Sequence, residues 1–139
     1  MTGTISTIDA LNLWHRVTVR SLRELPNDLS QRQIGVLLTV YLNPTRQTIR
    51  SLSEQLKVSK PAICRAVDAL TALDLLKRKK DEEDKRNVFL QRTIAGSVFL
   101  RDFADLIVDE SSPKQAANQS RCAYYSSSTA GGEKIAVGS

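Results

Sequence analysis

Residues 51–92, SLSEQLKVSKPAICRAVDALTALDLLKRKKDEEDKRNVFLQR, constrain the fold more than any other stretch of the chain. Leu52 and Leu56 lie one helical turn apart, so Leu52–Lys57 reads as a brief helix capped by Ser51. Val58 follows in a tight turn, where it can plug the angle between two helices. Ser59 is then placed to cap a longer helix to about Leu73, with Pro61 in the first turn, where its missing amide hydrogen costs nothing. At 100° per residue, Ile63, Ala66, Val67, Leu70 and Leu73 gather on one side, while Pro61, Arg65, Asp68 and Ala72 fall opposite. Leu75–Lys80 and Val88–Arg92 read as paired strands. The seven residues between them, 81–87, are too many for a two-residue hairpin turn and should project as a flexible wing.

The flanking segments are helical. From Ile8 to Leu25, residues Leu11, Trp14, Thr18, Leu22 and Leu25 recur at spacings of three and four, and Pro26 ends the pattern. Leu13 and Val17 lie off that stripe, so this helix is expected to pack both on its own domain and on a second subunit. Ser30 and Gln33 form a capping box for a helix that is apolar nearly all round, stopped at Asn43-Pro44. Gln47–Arg50 reads as a short strand. Thr93 caps a last helix, 94–110, with Gly96, Phe99, Leu100, Phe103, Leu106 and Ile107 as its stripe. Residues 111–139 lose periodicity and read as a flexible Ser/Ala/Gly-rich tail. The expectation is one mainly α domain over 1–110, a winged helix-turn-helix with a small β-hairpin wing and flanking helices at 8–25 and 94–110.

Charge is concentrated where the motif lies. Between Pro44 and Arg92 there are 12 Lys/Arg against 7 Asp/Glu, and outside that window the two signs balance at 8 each. The whole net charge of +5 therefore sits in one segment, as a phosphate-binding surface requires. No apolar run approaches a membrane span, and no leader pattern opens the chain. Cys64, Cys122 and the single His15 suggest neither a disulfide framework nor a metal site. No nucleophile has a base and an orienting partner at a recognisable spacing, so neither an enzyme nor a cofactor is expected. The expected location is the cytoplasm, in association with the nucleoid.

These features together point to double-stranded DNA. Helix-turn-helix proteins place the N-terminal part of the second helix in the major groove. Arg65 is the expected base contact, since a guanidinium can grip two guanine acceptors at once. Pro61 and Ala62 can touch a thymine methyl, and Ser51, Ser53, Ser59 and Lys60 suit phosphates. Arg78, Lys80 and Lys85 add positive charge around the wing. Arg86, oriented by Asp84, is suited to a narrow minor groove. Two alternatives stay open: a winged helix that docks a partner protein without specific DNA binding, and a redox-gated regulator using Cys64.

The ordered set of motifs resembles the MarR (multiple antibiotic resistance regulator) family of winged-helix repressors. It comprises Leu52-Ser53-Glu54-Gln55-Leu56, Val58-Ser59, Val67-Asp68-Ala69-Leu70, Leu75-Leu76-Lys77-Arg78, Asp84-Lys85-Arg86 and Leu90-Gln91-Arg92-Thr93-Ile94-Ala95-Gly96, across roughly residues 29–110. The resemblance implies a homodimer on a near-palindromic operator, with Arg86 in the flanking minor groove. It also implies dimerisation through the first and last helices, here Leu11, Trp14, Leu22, Phe99, Phe103, Leu106 and Ile107, and modulation by a small molecule or an oxidant. The chain departs from the family pattern in four places. Asp74 replaces the glycine that ends the recognition helix, Lys85 an arginine and Glu82 a proline. No clear helix follows residue 110.

Overall fold

In the computed structural model, residues 4–111 are described. The expected tail therefore lies outside the described residues, apart from Ser111, which is the last residue of a helix. Five helices and one hairpin follow one another as α1 (Thr7–Glu24), α2 (Gln31–Leu42), α3 (Ile49–Leu56), α4 (Lys60–Ala72), β1 (Leu76–Lys80), β2 (Val88–Arg92) and α5 (Ile94–Ser111). The single domain expected over 1–110 divides into two compact units. One takes Leu25–Asp102. The other takes, of the described residues, 4–24 and 103–111.

The Leu25–Asp102 unit is built on an apolar core. Val36 and Leu37 of α2, Leu52 of α3, and Ile63, Val67 and Leu70 of α4 are completely buried, with Leu75, Leu76, Leu90 and Phe99 around them. Four of the five residues assigned to the inner face of α4 are buried as expected. Leu73 is not: α4 stops at Ala72, and Leu73, the C-cap, is 41% exposed. The next residue, Asp74, takes the left-handed conformation (φ 60°) that a glycine would otherwise supply. The turn it makes carries the chain into β1 and buries Leu75 and Leu76.

Two local expectations change. The helix α3 begins three residues early, because Thr48 is its N-cap. The Thr48 hydroxyl accepts from the Ser51 amide at 3.1 Å, and the Ser51 hydroxyl accepts from the Thr48 amide at 2.8 Å. Ser51 is thus the reciprocal partner of a capping box, not the cap. Starting the helix at Ile49 leaves only Gln47 of the expected strand 47–50, as a single bridge to Leu90 whose amide donates to the Gln47 carbonyl at 2.8 Å. The capping box at Ser30 and Gln33 forms as expected.

Thr93 precedes α5 as its cap: its hydroxyl accepts from the Gly96 amide at 2.9 Å and donates to the Asp74 carbonyl at 2.7 Å. Gly96 is there for space. A Cβ at this position would run into the Tyr41 hydroxyl and the Leu75 carbonyl. The Tyr41 phenol in turn donates to the Thr93 carbonyl and accepts from the Thr93 amide, at 2.9 and 3.0 Å.

In the second unit, α1 inverts the usual arrangement. Leu11, Trp14 and Leu22 are exposed, while Arg16 and Val17 are buried. Glu110 is fully buried and joins two arginines: Arg16 Nε donates to its Oε1 at 3.1 Å and Arg20 Nη1 to its Oε2 at 3.0 Å. Arg20 also grips Glu24 through two hydrogen bonds and meets Asp109 at 3.4 Å. Those bonds, to Glu24 first and Glu110 second, raise the Arg20 pKa above its ordinary value, and Arg20 holds the Glu24 carboxyl below the usual carboxylate range. Of the residues expected at a subunit interface, Leu11, Trp14, Leu22 and Ile107 are exposed. Phe99, Phe103 and Leu106 are each less than 9% exposed in the single chain, and Phe99 belongs to the core of the Leu25–Asp102 unit.

Candidate nucleic-acid interface

The turn between α3 and α4 sets the geometry of the site. Lys57, the C-cap of α3, is left-handed (φ 55°), and the Val58 amide donates back to the Ser53 carbonyl at 3.2 Å. The Ser53 hydroxyl closes the turn by donating to the Val58 carbonyl at 2.6 Å. Val58 packs against the apolar core, as its place in the sequence suggests. A hydroxyl carries one donor proton. That of Ser53 is committed to this turn, and that of Ser51 lies toward Gln47 Oε1 and the Thr48 carbonyl. The sequence suggests phosphate contacts for both serines; in the fold their hydroxyls shape the motif.

Beyond the turn, the start of α4 stands free. Ser59 occupies the N-cap position, but its side chain makes no capping hydrogen bond, which corrects the expected cap and leaves the hydroxyl available. Ser59, Lys60, Pro61 and Arg65 are exposed. Ala62 is only 6% exposed, so the methyl contact expected of it falls to Pro61 alone. Its helical angle, 100° from Ile63, places it at the edge of the core face. Arg65 forms no ion pair among the described residues. Its guanidinium keeps all its donors for a ligand. Cys64, the neighbouring thiol, is free and half-buried.

The hairpin is antiparallel with Leu76 opposite Arg92 and Lys80 opposite Val88. Its tip is more ordered by hydrogen bonds than a flexible loop would be. The Asp81 amide donates to the Asn87 carbonyl at 2.9 Å, and the Asp81 carboxylate accepts from the Glu83 amide at 3.1 Å. Asp84 does orient Arg86, but through the backbone: its carboxylate accepts from the Arg86 amide at 3.1 Å. The expected link between the two side chains does not form among the described ion pairs. Lys80, Lys85 and Arg86 are exposed.

Two contacts escape sequence reasoning. Arg78 Nη2 meets Asp68 Oδ1 at 2.7 Å, tying β1 to the outer face of α4. Arg46 lies over the Phe89 ring, 5.1 Å from its centre, on the opposite face of the hairpin. Both depend on strand register. Lys79 pairs with Phe89 and Arg78 with Leu90, and the Gln47–Leu90 bridge draws Arg46 alongside. No spacing within the sequence encodes that register. The same face holds a cavity of about 370 Å³ between Arg46, Lys79, Phe89 and the acidic Glu82 and Glu83, of mixed sign.

A model of the MarR family matches residues 27–87. Over that segment the chain is similar to the MarR family of winged-helix proteins. The family is one of DNA-binding transcriptional regulators and not of enzymes. Solved structures share the fold over most of the chain. A mutant of Staphylococcus aureus MepR bound to an oligodeoxyribonucleotide superposes with a TM-score of 0.64 at 15% identity, covering 88% of this chain and 92% of that one. The transcriptional regulator Tm0710 of Thermotoga maritima gives 0.59 at 20% identity, covering 95% and 94%. BpsR of Bordetella bronchiseptica, whose DNA binding is regulated by 6-hydroxynicotinic acid, gives 0.52 at 16% identity, covering 91% and 96%. No curated protein matches the chain in sequence. No helix among the described residues is long and apolar enough to cross a membrane.

Proposed function

We propose that this chain is a MarR-family regulator, a homodimeric, sequence-specific repressor of transcription acting on double-stranded DNA. One observation carries the reading: the start of α4 presents Arg65 unpaired and exposed, on the segment that holds the whole positive excess of the chain. Arg65 reads a base, Pro61 touches a thymine methyl, and Ser59 and Lys60 hold phosphates. Lys80 and Lys85 add phosphate contacts at the wing, and Arg86, set by its Asx turn on Asp84, enters the minor groove. The exposed stripe of Leu11, Trp14 and Leu22 supports a second copy as partner. Two copies would then read two half-sites about one helical turn apart. The oligonucleotide bound to MepR supports the DNA ligand, and the 6-hydroxynicotinic acid effector of BpsR supports a small-molecule effector for this chain as well.

Selection of bound sequences from a random duplex pool tests the reading. It should return two inverted half-sites, and binding to both selected and random duplexes should fall steeply with salt. Arg65→Ala should cost roughly 1–3 kcal/mol on the selected duplex and much less on the random pool. Equal losses on both would remove Arg65 from the reading role. Salt-insensitive binding, or none, would favour a protein-docking winged helix instead.

A further inference from the structure

We infer that Asp68 is a positioning residue for DNA recognition, one that fixes Arg78 beside Arg65 so that wing and recognition helix read as one surface. The inference rests on the DNA reading above. Asp68 lies three residues after Arg65 on the outer face of α4, within a side chain's reach of it. A carboxylate here is a liability, because it faces the polyanion that the rest of this surface is built to attract. It is not explained by folding, since Asp68 and Arg78 are 60% and 40% exposed and pairs that open to water contribute little to stability.

The geometry supplies another reason for it. Arg78 shares its face of the hairpin with Leu76 and Leu90, both buried against the core, so its side chain leaves β1 on the α4 side. Left alone, a long guanidinium there samples many rotamers. The 2.7 Å contact of Nη2 with Asp68 Oδ1 selects one of them. Only one of the five N–H donors of Arg78 needs to serve that contact, and the others remain for a phosphate or a base edge. The carboxylate thus trades general attraction to DNA for a fixed donor array next to Arg65. Its effects on the two classes of duplex should therefore be opposite in sign.

The test compares the intact protein with Asp68→Asn, Arg78→Ala and the double variant, on a selected duplex and on a random pool. Asp68→Asn should weaken binding to the selected duplex while leaving binding to the random pool equal or stronger, lowering the ratio by about tenfold. Its thermal midpoint should not move, whereas a merely structural role would lower it. In the Arg78→Ala background the same substitution should leave the ratio unchanged. An equal drop in both backgrounds, or a uniform rise on both duplexes, overturns the inference while leaving the DNA reading intact. Failure of the unaltered protein to bind either duplex overturns both, and is recognised by the absence of any ratio to measure.

Discussion

The helices α4 and α1 are both amphipathic, yet they resolve that property in opposite ways. In α4 the apolar side, Ile63, Val67 and Leu70, is wholly buried, and the polar side bearing Arg65 and Asp68 faces out. In α1 the apolar stripe of Leu11, Trp14 and Leu22 faces out, and an arginine, Arg16, is buried on the glutamate of α5. The difference lies in where each helix finds its partner. α4 is satisfied within its own unit, whereas the stripe of α1 is complementary to nothing among the described residues. A buried ion pair also costs desolvation that an apolar contact does not. It fixes α1 against α5 by geometry, with two arginines converging on one carboxylate.

The same substitution on the two apolar faces gives the largest expected contrast. Leu70→Glu should destabilise the fold by on the order of 5 kcal/mol, through lost packing and a buried charge. Leu11→Glu should change the stability of the single chain by no more than about 0.5 kcal/mol, as for an exposed site, while abolishing the proposed self-association. Denaturant titration and sedimentation read the two effects separately. If Leu11→Glu unfolds the chain, the contrast is broken. Removing the polar anchor comes next. Glu110→Ala leaves Arg16 buried without its partner and should cost about 3 kcal/mol, seen as a lower denaturant midpoint. A loss below about 1 kcal/mol would mean that Arg16 simply turns to water. Smallest is Glu24→Gln. Because Arg20 depresses the folded carboxyl, its contribution is present above the usual carboxylate pKa and fades as pH falls through the lower folded value. Glu24→Gln should therefore flatten the acid side of a stability–pH profile slightly and leave no further loss at the most acid end.

Much of the winged helix is legible in the chain because its signals are local. Ser30 with Gln33, Pro61 in the first turn of α4 and Thr93 before Gly96 each act within a few residues of themselves. Where sequence and structure part, two local signals compete. Thr48 and Ser51 can each cap α3, and the structure uses both in one box, with Thr48 at the cap. Ala62 sits on the boundary between the two faces of α4, where periodicity alone cannot assign it. Phe99, Phe103 and Leu106 form one stripe in the sequence, but a stripe does not say whether its partner belongs to the same chain.

The order of helices and strands, the inner face of α4 and the concentration of positive charge on one segment can all be read from the chain itself. They follow from periodicity, capping chemistry and composition, none of which needs a distant residue. Folding in three dimensions was needed to settle which hydroxyls are spent on the turn, that Arg78 answers to Asp68, and that α1 shows its apolar side. The hydroxyls are settled by the geometry of one tight turn, where several local partners compete. The other two depend on strand register or on the meeting of elements far apart in sequence, and such contacts leave no periodic trace in the chain.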